Sequence, residues 1–128
     1  MHPTEPESEY IDGELVRKPL GTKLHSRLQL HVGALLLNRY EHNGLCQAAT
    51  EQSLRLGAHI ILIPDICVLV PDDDAEEVVT EPPLLCVQIL SPSDRLSDMV
   101  KKWQEYLRWG VPSCWILNPE TQVGWTSI

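Results

Sequence analysis

The chain has no long apolar run. Its uncharged apolar stretches fall well short of the roughly 18 to 20 residues that cross a bilayer as a helix, which argues against a membrane span. The first residues, Met1-His2-Pro3-Thr4-Glu5-Pro6-Glu7, are acidic and polar, the opposite of a secretion signal, so a cytoplasmic protein is the simplest expectation. There is no Cys-x-x-Cys pair. Cys46, Cys67, Cys86 and Cys114 are widely spaced and three of them sit in apolar runs. Neither a zinc site nor a disulfide framework is expected, and the thiols should pack as small hydrophobes. Basic residues are also short, with 10 Lys and Arg against 18 Asp and Glu and a net charge of −8. That weighs against nucleic-acid binding through bulk electrostatics but leaves room for a local basic groove. No internal repeat, low-complexity segment, recognition helix or zinc module is present.

What is there suits one globular domain. The 128 residues, 43% hydrophobic, are enough for a single core. Residues 1–8 read as a poorly tied lead and 9–128 as the domain. The acid is concentrated in the first dozen residues and in Asp72-Asp73-Asp74-Ala75-Glu76-Glu77. A core freed of those two segments would be near neutral.

In chain order, Tyr10-Ile11-Asp12-Gly13-Glu14-Leu15-Val16 places Asp-Gly between β-favouring runs and predicts a hairpin. Thr22 is the expected N-cap of a helix over 23–42, with Leu24, Leu28, Val32, Leu35 and Leu36 as its apolar stripe and Asn43-Gly44 as its C-cap. His25 lies on its first turn, either as a locally bonded histidine or as a contact to a substrate phosphate or a site carboxylate. One strand is expected over 45–56, with Glu51 on its opposite face, and a buried strand over 60–70. Pro64 cannot donate to a ladder and should mark a bulge or the start of a strand. Asp65, between Pro64 and Ile66, is costly to bury without a cation or several hydrogen bonds.

A further apolar strand, 84–90, carries one polar residue, Gln88. Ser93 or Asp94 is expected to cap the next helix, whose core stripe is Val100, Trp103 and Leu107 with Met99 and Tyr106 beside it. Asp98, Lys102 and Tyr106 share a face, and Gly110 ends the helix. A third inner strand spans 111–117 and a last strand 123–128, an abrupt end of the kind a truncated natural chain would leave.

A strand-borne Asp, a second strand-borne oxygen donor and a Lys on the following helix form the layout of a magnesium-dependent phosphodiesterase. Two side chains and a carbonyl hold a hard cation, the ion acidifies an attacking water, and the Lys offsets developing charge. Here these are Asp65, Gln88, the carbonyl of Ile89 and Lys102. Each has a plainer reading: Asp65 as a cap after Pro64, Gln88 bonded to nearby backbone, Lys102 as a solvated charge paired with Asp98.

Several pieces, taken together, resemble one family. They are the Tyr10–Val16 hairpin, His25, Ile63-Pro64-Asp65, Val87-Gln88-Ile89-Leu90-Ser91-Pro92-Ser93-Asp94, Lys102 with Tyr106, and Gly110-Val111-Pro112 through Trp115-Ile116-Leu117-Asn118-Pro119. In order and spacing they are similar to the Uma-two-type restriction endonuclease family, common in cyanobacteria, within the PD-(D/E)XK nucleases. The resemblance covers nearly the whole chain. It implies an α/β (α+β) restriction-endonuclease-like core, a mixed central sheet flanked by helices in αβββαβ order, after the hairpin. It also implies a magnesium- or manganese-dependent endonuclease acting on DNA. Asp65 would be the motif aspartate and Lys102 a lysine moved onto the helix, with Lys101 as its fallback.

The departure from that pattern is Gln88, where the family has glutamate; a neutral ligand should weaken metal binding. Glu51 is a candidate replacement acid, and His25 and Arg95 are candidate contacts to the DNA backbone. The rival reading is a noncatalytic nuclease-fold module for regulation or interaction, with a homodimer as one arrangement open to it.

Overall fold

The computed structural model describes residues 8–19, 21–41, 44–71 and 77–127. The expected lead (apart from Ser8), His42 and Asn43 at the first helix end, and most of the acidic segment lie outside these residues.

The chain begins with β1 (Ser8–Ile11) and β2 (Glu14–Arg17), an antiparallel hairpin. Asp12 and Gly13 turn it with φ of 51° and 85°, the pair of positive values that matches strand twist in a two-residue turn. Ser8, expected in the lead, already belongs to the strand. Helix α1 (Lys23–Tyr40) follows, capped by Thr22, whose hydroxyl accepts from the His25 N–H at 3.2 Å. It stops short of 42 because Glu41 takes the C-cap and its carboxylate turns to the Ala48 N–H at 3.0 Å.

The two long strands expected next are each broken in two. The first becomes β3 (Gln47–Thr50) and β4 (Leu54–Gly57), and the second becomes β5 (Ile60–Leu62) and β6 (Ile66–Leu69). Glu51 breaks the first in a left-handed conformation, φ 50°. Pro64 breaks the second, having no N–H to give a ladder. The breaks lie side by side, joined by the Glu51 N–H to the Asp65 carbonyl at 3.3 Å. At this corner both strands of one ribbon pass from one sheet to another.

The remaining elements are β7 (Leu85–Ile89), α2 (Leu96–Trp109), β8 (Ser113–Asn118) and β9 (Val123–Thr126). One sheet runs β2-β1-β5-β4 and the other β3-β6-β7-β8-β9. Only β7 and β8 pair in parallel among these ladders, with α2 as the crossover such a pair requires. The order α1-β3-β6-β7-α2-β8 is the αβββαβ core, with β4 and β5 diverted into the hairpin's sheet.

Strand alternation divides the core in two. Ile66, Val68, Leu85, Val87 and Ile89 pack with Leu36 of α1. The alternate residues Cys67, Cys86 and Cys114 pack with Leu54 and Leu62 of the smaller sheet and with Tyr106 of α2. Burial differs from expectation on both helices. Leu24 and Leu35 are exposed, and the α1 stripe narrows to Leu28, Val32 and Leu36. On α2, Val100 and Leu107 are exposed, while Met99 and Tyr106 are buried. Tyr106 sets that phase, since its large ring lies fully inside the second core. Asp94 does not cap α2. It closes the turn before it, accepting from the Ser91 N–H at 2.8 Å, and the N-cap is Arg95 with no side-chain bond.

Candidate active site at the sheet corner

The corner leaves backbone groups without ladder partners, and side chains satisfy them. The Ile63 N–H donates to Glu9 Oε2 at 2.9 Å, and the Ile63 carbonyl accepts from Lys18 Nζ at 2.8 Å. The Asp65 carbonyl accepts from Gln29 Nε2 at 2.8 Å. Asp65 itself is 3% exposed. Its Oδ2 accepts from the Ile89 N–H at 2.6 Å, and its Oδ1 lies 3.2 Å from Lys18 Nζ and 3.3 Å from His25 Nε2. Glu51 accepts from Lys18 at 2.7 Å and from Gln29 at 3.0 Å. Lys102 pairs with Glu9, which is fully buried. A cavity of about 270 Å³ opens among these groups, lined by Lys18, His25, Glu51, Asp65, Gln88 and Lys102 among others.

Burial alone would raise the Asp65 pKa, but the His25 hydrogen bond, the Lys18 ammonium and the Ile89 N–H hold it below its ordinary value. Burial likewise works against the charge on Lys18, and the Asp65 and Glu51 carboxylates outweigh it and raise its pKa. The hydrogen bond to Asp65 raises His25 despite its desolvation. Asp65, Lys18 and His25 thus each favour their charged forms. Tyr106 is pushed well above its usual value by burial and stays a neutral phenol.

The structure brings Asp65, Gln88, His25, Glu51 and Lys102 to one cavity. Gln88, expected to bond nearby backbone in its plainer reading, turns to a side chain. Its amide donates to the Tyr106 hydroxyl at 2.9 Å, because positions 86 and 88 of β7 face α2. Ile89, expected to offer a carbonyl, lines the cavity too, and its N–H donates to Asp65. Lys102 pairs with Glu9 and not with Asp98, which is exposed. Arg95 and Lys101 are exposed and do not line this cavity. Glu51 enters from a left-handed turn and not from a strand face.

Sequence reading missed Glu9, Lys18 and Gln29. Glu9 carried a signal, because strand parity puts it on the same face as Ile11, which packs into the core. Gln29 lies one helical turn beyond His25, on the same face. Lys18, a charge just past a strand, carried none.

The residues do not fit a divalent cation as they stand. Both Asp65 oxygens already hold donors, Gln88 is neutral, and the space among Asp65, Glu51 and the Ile63 carbonyl holds Lys18. Among the described residues, no group of three or more His, Cys, Asp or Glu is placed to share an ion.

A mixed sheet with α1 on one face, α2 and a smaller sheet on the other, and a buried aspartate where one strand begins make up the restriction-endonuclease-like nuclease fold. The chain belongs to the Uma2 family, described as "Putative restriction endonuclease", whose model matches residues 1–123. It is similar to a crystal structure described as that of a "putative nuclease" from Anabaena variabilis ATCC 29413. The TM-score is 0.89 and the identity 24%, over 99% of this chain and 74% of that one. That likeness shows the fold. No curated protein sequence matches the chain.

Proposed function

We propose that this chain acts on DNA, receiving a backbone phosphate in the cavity at Asp65, and that its own residues hold phosphodiester hydrolysis there low. The observation that carries the reading is the convergence of Asp65, Gln88, His25 and Lys102 on one cavity at the sheet corner. Lys102, held by Glu9, would counter phosphate charge, and His25, held by Asp65 at 3.3 Å, would orient against a phosphate oxygen. Arg95 and Lys101, exposed beside α2, would meet the DNA backbone outside the cavity. Nucleases of this fold usually use a divalent ion, magnesium or manganese, which acidifies the attacking water. No step is assigned to it here, because the donor set does not fit one as arranged. The free thiols suit a reducing, cytoplasmic setting.

A noncatalytic interaction module is favoured by one observation, the commitment of Gln88 to Tyr106. Binding of a labelled DNA duplex and its cleavage in magnesium or manganese, for wild type, Asp65→Ala and Gln88→Glu, separate the readings. Slow cleavage in wild type, lost in Asp65→Ala, is the expected result. Cleavage unchanged in Asp65→Ala sinks the site assignment. A gain of cleavage in Gln88→Glu marks a site short of one charge, whereas binding with no cleavage in any variant leaves the interaction module.

A further inference from the structure

We propose that the Lys18 ammonium is the resident cation of this site, occupying the place a divalent metal ion would need and keeping it out. An ammonium has three N–H donors. Those of Lys18 meet three oxygens: Glu51 Oε2 at 2.7 Å, the Ile63 carbonyl at 2.8 Å and Asp65 Oδ1 at 3.2 Å. Two carboxylates and a backbone carbonyl are the ligand types that hard divalent cations take. Here they converge on a nitrogen.

The lysine is no solvated surface charge. Its side chain is 12% exposed, and all three oxygens come from the corner where the strands change sheets. Glu51 reaches the point through its left-handed backbone, and the Ile63 carbonyl is free because Pro64 ends the ladder beside it. The position is therefore built by the fold and filled from the segment after β2.

Charge gives the same answer. Asp65 and Glu51 contribute two negative charges, Lys18 returns one, and His25, 3.3 Å from Asp65, supplies another when protonated. A divalent ion added beside Lys18 would sit within contact range of a like charge in a poorly solvated place. It can take these three oxygens only if Lys18 leaves, so a metal ion held at this point requires Lys18 to vacate.

The test is manganese binding, followed by calorimetry with Mn²⁺ alone, for wild type, Lys18→Met and the double variant Lys18→Met with Glu51→Gln. Circular dichroism checks the fold of each. Methionine keeps an unbranched stem of similar size and removes the ammonium. Wild type is expected to take up no Mn²⁺ at concentrations where Lys18→Met binds at least about tenfold tighter, and the double variant should lose that gain. Equal binding in wild type and Lys18→Met overturns the proposal, as does a folded Lys18→Met that binds no Mn²⁺. If Lys18→Met does not fold even with Mn²⁺ present, Lys18→Gln is put to the same comparison with the same deciding outcomes. No readout involves DNA, so failure here leaves the reading of the cavity as a DNA site standing, and failure of that reading leaves this one standing.

Discussion

The Gln88 amide donates to the Tyr106 hydroxyl at 2.9 Å, between a central strand and the crossover helix, with both residues buried. The one polar side chain of β7 is thus tied to the helix behind it. Tyr106→Phe should leave the amide without this partner, at a cost of about 1–3 kcal/mol. Urea denaturation measures this, and a change below about 0.5 kcal/mol would show that the bond carries no weight.

Glu9 is 1% exposed and neutralised by Lys102. Removing one partner of a buried pair strands the other, which costs about 3–5 kcal/mol. Lys102→Met should therefore destabilise strongly, and so should Glu9→Gln, which also weakens the acceptor of the Ile63 N–H. Combining them should cost clearly less than the two single losses added, as read by a double-mutant cycle in urea. Strict additivity would mean the pair is not coupled.

Two groups set opposite limbs of the pH profile. His25 is raised above its ordinary 6.5, so its contribution is fully present below 6.5 and lost as pH climbs through the raised folded value. Asp65 is lowered below its ordinary 3.8, so its contribution is present above 3.8 and lost as pH falls through the lower folded value. Urea midpoints taken from about pH 3 to pH 9 should show a plateau between these limbs. His25→Gln should flatten the upper limb, and an upper limb unchanged in that variant would remove His25 as its source.

Thiol chemistry should be confined to one cysteine. Burial pushes Cys67 and Cys114 up to about 12 and raises Cys86 further. Cys46 is only partly buried. A thiol reagent at about pH 8 should modify Cys46 alone in the native protein and all four cysteines after unfolding. Rapid labelling of a second thiol in the folded state would contradict the packing of the second core.

The punctuation of this fold was legible in the sequence. Asp12-Gly13, Thr22 and Gly110 mark turn, cap and helix end because local backbone chemistry selects those residue types. The αβββαβ order followed from apolar runs of the right length, and Asp65 and Gln88 stood out as polar side chains inside them. The corner was not legible, since the Ile63-Pro64-Asp65 break lies inside an apolar run, Glu51-Gln52-Ser53 falls within a rough polar-apolar alternation, and periodicity cannot register a change of sheet. Glu9 was lost among neighbouring acids, and Lys18 depends on a convergence of three distant segments that no local pattern encodes. The phase of α2 was misread because Val100 and Leu107 are as apolar as the residues that are buried.

The bend shared by the two strands has one more consequence. Glu9, Lys18 and Gln29 complete the backbone at the joint between the sheets, so they are mortar as well as chemistry. Selection for a sound fold alone would keep them in place after any loss of cutting. The polar pocket is thus tied to the stability of the sheet corner, apart from any chemistry it carries.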